Sequence, residues 1–167
     1  MRAAVADYPT GTPIRSREEL RAWLFTSVAE ERPDRVRVAT FTVSAAGVLH
    51  LAPRRSEHVA CAGGADVSAA GEIGFDEAGD VVEVTNQSTG YCPPVTCWSA
   101  VAAAFSAAGL CHPPGWTTAV VFRRCEACGQ RNVVRDGWFA CMICGASLPA
   151  GWNFGRPVCD AVHSLTQ

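Results

Sequence analysis

The chain has 167 residues, 49% of them hydrophobic, and a formal net charge of -2. That length suits one domain with a real core, or a small domain carrying an appended module. The balance of charge gives no broad cationic field for nucleic acid or an anionic membrane, and no apolar run approaches the roughly 20 residues that span a bilayer.

The stretch MRAAVADYPTGTPIRS lacks the apolar centre of a signal peptide, so a soluble, cytoplasmic protein with no membrane contact is expected. All 14 basic residues are arginine, as a GC-rich bacterial coding bias would produce. Nine cysteines without an export signal, four of them at metal-ligand spacing, fit a reducing compartment better than a disulfide framework.

In chain order, Ser16-Arg-Glu-Glu19 reads as a capping box, and Leu20, Trp23, Leu24 and Val28 follow at helical spacing. A helix over 17–31 is predicted, ended by Pro33-Asp34. Val36, Val38, Phe41 and Val43, then a turn at Gly47 and the segment Val48 to Leu51, alternate as a β-hairpin. The run VACAGGADVSAAGEIGF is so rich in small residues that its backbone must approach another backbone or a ligand closely. A second hairpin is predicted from Ile73 and Phe75 through the Asp76–Asp80 turn to Val82 and Val84. Trp98, Val101, Ala102, Phe105 and Leu110 predict a helix over 95–108, and Thr117 to Phe122 a strand of the main sheet that leads into the metal module.

Cys125 and Cys128 are separated from Cys141 and Cys144 by 12 residues, and Gly129 and Gly145 follow the second cysteine of each pair. Such knuckles turn backbone amides toward the thiolates and place glycine where positive φ is needed. Four thiolates suit tetrahedral zinc, with iron the rival, and leave no coordination position for water or substrate. The knuckles CEACG and CMICG resemble the zinc-ribbon class over about 30 positions, which implies a structural Zn²⁺ and says little of function. Arg123, Arg124, Arg131 and Arg135 cluster beside Trp138 and Phe139, so the ribbon is a candidate binding surface for phosphate and stacked bases. A solvated arginine face over a small aromatic core is the plainer account.

A second constellation, His58, Gly71-Glu72 and Asn86 to Pro93, brings an imidazole, a carboxylate, hydroxyls and a phenol to glycine-rich turns. It resembles a module at the C-terminal ends of some bacterial effectors and polymorphic toxins, with His58, Gly71, Glu72, Asn86 or its neighbour, Ser88, Tyr91 and Pro93 in matching places and Thr89-Gly90 departing from that module's Gly-His order. The resemblance implies ligand binding or transfer chemistry, with His58, Glu72, Ser88 and Tyr91 as candidate catalytic residues. In the plainer account Glu72 faces solvent and Ser88 to Pro93 is a turn before a helix.

Cys97 precedes the second predicted helix, where the dipole favours thiolate, with His112 or His163 as a base. Cys97-Trp98 resembles papain-like enzymes in those two residues only. Cys92, Cys97, Cys111 and His112 are a second candidate metal set without knuckle spacing. Cys61, Cys111 and Cys159 read as small buried hydrophobes, and Trp152 and Phe154 as packing residues.

The expected architecture is α+β: a small antiparallel sheet with packed helices over 1–122, a zinc ribbon over 123–154, and a tail, 155–167, packing back on the core. Two functions fit. One is a zinc-stabilised interaction module of a larger bacterial system, docking protein, or nucleic acid through the ribbon. The other is a small effector-like or toxin-like enzyme with a His58, Glu72, Ser88 and Tyr91 pocket braced by the metal.

Overall fold

The computed structural model describes residues 10–26 and 30–155. In order these form β1 (Thr12–Ile14), α1 (Arg17–Thr26), β2 (Glu30–Glu31), β3 (Arg37–Ser44), β4 (Leu49–Pro53), α2 (His58–Cys61), β5 (Val67–Phe75), β6 (Val81–Thr85), α3 (Trp98–Ala107), β7 (Val121–Arg124) and β8 (Arg131–Val134). The class is α+β. The main sheet is antiparallel in the order β1-β4-β3-β5-β6. β2 takes up the edge of β3 at Val38 and Arg37, just beyond the last β4 pair at Ala39.

Alternation along the strands sorts side chains between two faces. Phe41, Val43, Leu49, Leu51, Ile73 and Val84 share a buried cluster with Leu20, Trp23 and Leu24 of α1 and with Val101, Ala104 and Phe105 of α3. Burial of each large side chain contributes about 1.5–3 kcal/mol, so this face carries most of the hydrophobic stabilisation. The other face is polar and small. There Thr42 meets the Cys61 sulfur at 3.7 Å, and the Thr40 hydroxyl donates to the Ser56 carbonyl at 3.3 Å beneath α2.

The Ser16 half of the capping box forms, its hydroxyl accepting the Glu19 N–H at 3.1 Å, while the Glu19 carboxylate accepts the N–H of Arg15 at 2.6 Å. The predicted helix is shorter than its pattern: α1 is described over Arg17–Thr26, residues 27–29 with Val28 lie outside the described residues, and Glu30–Glu31 is strand. Pairing with Val38 and Arg37 overrides a helical sequence there. Both hairpins occur, and the second turn is held by Asp76, whose carboxylate accepts the N–H groups of Ala78 and Asp80 at 2.9 Å. One turn of 3₁₀ helix, Val95–Cys97, leads into α3. Gly109, at φ 68°, then ends α3 with Leu110 N–H on the Phe105 carbonyl at 2.9 Å.

The small-residue run divides into α2, a glycine turn and β5. Its close approach is to backbone: a Cβ on Gly71 would stand 1.8 Å from the Thr85 carbonyl oxygen. The predicted strand over 117–122 is corrected. Thr117 and Thr118 meet the main sheet through one parallel bridge, Thr85 to Thr118, and hydrogen bonds to Val84, while Val121 and Phe122 belong to β7, which pairs with β8 in a separate two-stranded sheet. Of the expected tail only Gly155 lies within the described residues.

Candidate metal centre

The first knuckle closes the β7–β8 hairpin, and the second sits inside the Ala140 to Ser147 bridge. The two repeat one hydrogen-bond pattern. Cys125 N–H donates to the Gln130 carbonyl and its own carbonyl accepts Gly129 N–H, both at 2.8 Å; Cys141 does the same with Ala146 and Gly145 at 2.8 and 2.9 Å. Gly129 and Gly145 stand at φ 76° and 73°, a conformation that strains any residue with a side chain.

These turns bring the four sulfurs within 4.8 Å of one another, with Cys125 to Cys144 at 3.6 Å and Cys128 to Cys141 at 3.7 Å. Zinc–sulfur bonds of about 2.3 Å place tetrahedral sulfurs about 3.8 Å apart, so the cluster has the dimensions a metal ion needs. The backbone N–H groups of Cys144 and Ile143 donate to the Cys141 sulfur and hold its pKa down to about 6. At Cys128 the Gln130 N–H pulls the same way, but burial and the neighbouring thiols outweigh it and push the pKa up to about 12. Four thiolates at these distances repel one another, so the deprotonated set calls for a cation, and the cluster could hold a metal ion.

Two buried asparagines act as supports, one inside the centre and one at the segment that leads into it. Buried Asn132 donates to the Gln130 carbonyl at 2.9 Å and to the Cys141 sulfur at 3.7 Å, and accepts Met142 N–H at 3.1 Å. It therefore ties one knuckle to the other. Asn86, at the end of β6, accepts Val120 N–H at 2.7 Å and donates to the carbonyls of Val120 and Pro93. Neither stood out as a support in the sequence, since Asn86 lies in the polar run Thr85 to Thr89 and Asn132 follows Gln130 and Arg131.

The candidate surface arginines differ in their surroundings. Arg123 turns inward to the carbonyls of Pro149 and Ala150 and lies 5.7 Å from the Phe139 ring centre. Arg131 reaches the Thr89 and Gly90 carbonyls at 2.8 and 3.0 Å. Arg124 stacks on Phe154 at 5.5 Å. Arg135 is exposed and has no ion pair among the described residues. Around it the ribbon exposes apolar surface: Trp138 is 71% exposed, Met142 81% and Ile143 72%.

In the central segment, His58 opens α2 with Nε2 3.0 Å from the Gly71 carbonyl. Burial lowers its pKa against the opposing pull of that carbonyl, Glu72 and Glu57. Glu72 lines a groove of about 360 Å³ with Arg32, Arg54, Glu83 and Thr85; His58, Ser88 and Tyr91 are absent from that wall. Buried Ser88 accepts Tyr91 N–H through its hydroxyl at 3.3 Å. Tyr91 donates its own hydroxyl to the Ala65 carbonyl at 2.7 Å. His58 and Glu72 are thus neighbours through Gly71, whereas Ser88 and Tyr91 brace the loop before α3.

Cys92, Cys97, Cys111 and His112 do not converge. Among the described residues the ribbon cysteines are the one group of three or more candidate ligands that does. Cys97 is buried in the main core, and His112 packs its ring on Trp98 and Phe105. Cys61 is buried as expected, but Cys111 is exposed, its sulfur 3.7 Å from the Arg17 guanidinium. Cys159 and His163 lie outside the described residues. Trp152 packs by donating its indole N–H to the Cys92 carbonyl at 2.8 Å.

No protein-family model, curated protein or solved structure matches this chain.

Proposed function

We propose that the chain is an interaction module whose ribbon, held by a structural zinc ion, docks a protein partner in a reducing compartment. The observation that carries this is the exposure of Trp138, Met142 and Ile143 together on a segment fixed by four cysteines. Large apolar and aromatic side chains on a rigid support are what anchors of protein interfaces consist of. With four protein sulfurs around the metal, its role is to hold the surface. Phosphate binding gains less support, because Arg123 and Arg131 are turned onto backbone carbonyls.

The test is in-cell crosslinking with p-benzoylphenylalanine in place of Trp138 or Ile143, and in place of Val82 on β6 as the control. One protein adduct formed from both ribbon positions and absent from the control is the expected result. Adducts to nucleic acid, or none above the control, would overturn the reading.

A further inference from the structure

In the β7–β8 hairpin Cys125 N–H donates to the Gln130 carbonyl, which makes these two a hydrogen-bonded pair. Bonded and non-bonded pairs alternate along an antiparallel ladder. From the register Arg124 to Arg131, Arg123 to Asn132 and Phe122 to Val133, Asn132 turns its backbone groups to β7, while Arg131 and Val133 turn theirs to the outer edge. Side-chain burial agrees with this alternation: Asn132 is buried, Arg131 and Val133 exposed. The Arg131 carbonyl accepts from the Gln130 side chain at 3.0 Å. The Arg131 N–H and both backbone groups of Val133 have no backbone partner among the described residues.

These residues line a groove of about 370 Å³ together with Arg135, Trp138, Ala140 and Met142. Two arginines and no acidic residue line it; the Arg131 guanidinium is turned onto the Thr89 and Gly90 carbonyls, which leaves Arg135 to supply the positive charge. An unpaired strand edge asks for another strand, a positive wall asks for acidic side chains, and Trp138 and Met142 offer apolar contact. We infer that the groove takes an extended acidic segment of the partner protein as a further strand on β8, its backbone bonding Arg131 and Val133 and its carboxylates facing Arg135. This rests on the protein-docking reading and specifies its mode. A nucleic acid stacked on Trp138 would leave the strand-edge groups unpaired.

The experiment is ¹⁵N NMR of the full zinc-loaded chain titrated with a soluble peptide alternating glutamate and valine, beside its lysine–valine counterpart and oligothymidylate. With the acidic peptide, the Arg131 and Val133 amides are expected to shift downfield and exchange about tenfold more slowly with solvent, and the Trp138 indole to shift with them. Arg135→Glu is expected to lose about tenfold in affinity for the acidic peptide and to gain for the basic one. Val133→Pro removes an outward N–H that an edge strand can spare, and should abolish the slow exchange at Arg131; the surface variant Arg135→Glu decides if the proline disrupts folding. Shifts at Trp138 and Met142 without slowed exchange would overturn strand addition and leave protein docking standing. No response to the acidic peptide, or an equal response to the basic peptide or oligothymidylate, would overturn the acidic-strand assignment. Absence of the crosslinked protein adduct, read separately, would remove the docking reading beneath it.

Discussion

His58, a candidate catalytic residue in the sequence, is tied to the backbone of β5 in the fold, and that contact bears on stability. Its imidazole is half-buried at the start of α2, against the Gly71 carbonyl, and burial lowers its pKa. The folded state therefore binds this proton less readily than the unfolded chain, whose histidine titrates near 6.5. The stabilisation is full above that value, declines as pH falls through it, and stops changing below the folded pKa. Urea midpoints measured between pH 8 and 5 should fall on the acid side, and His58→Gln should flatten part of that slope. An unchanged slope in the variant would show that other groups cause it. The cysteine ligands were legible from spacing and flanking glycines alone. Asn132 was not, because one buried amide bridging two loops has no local pattern.

Elements with strong local signals appear where their residues predict them: the Ser16 cap, the Asp76 turn, the Gly109 stop and the two knuckles. Boundaries decided by distant partners do not. Glu30–Glu31 follow a helical run yet pair with β3, and Thr117 and Thr118 look like strand but make only a bridge and hydrogen bonds at the edge of β6. The small-residue run asked a question that only tertiary structure answers, and the answer at Gly71 is the Thr85 carbonyl. Gly71→Ala puts a methyl carbon into that oxygen, and β5 and β6 must separate to admit it. Stability should fall by more than about 4 kcal/mol, read as insoluble expression or loss of the cooperative urea transition. A soluble variant with an unchanged midpoint would show that the strands part more easily than their packing indicates.

Across the whole molecule, the main core and the ribbon's cluster of Cys125, Cys141 and Leu148 have no residue in common. Removing the metal with a strong chelator should therefore disorder the amides of 121–148 while those of 37–85 keep their dispersion in ¹⁵N NMR. Collapse of both sets together would show that the sheet depends on the metal. Fold class and metal cluster were legible because periodicity and ligand spacing are local. The candidate pocket was not, because whether His58, Glu72, Ser88 and Tyr91 meet depends on how α2 and the loop before α3 are laid over the sheet.

The contacts from the ribbon to the loop before α3 also bear on the order in which the protein is made. Arg131 and Trp152 supply donors to the carbonyls of Thr89, Gly90 and Cys92, all of which leave the ribosome earlier. A nascent chain that has completed its sheet still presents these three oxygens to water until Arg131 and Trp152 reach them. If the ribbon folds on a zinc ion, as proposed, newly synthesised copies in a cell short of zinc would accumulate with a finished sheet and this seam open, a form that quality-control proteases can distinguish from the folded one.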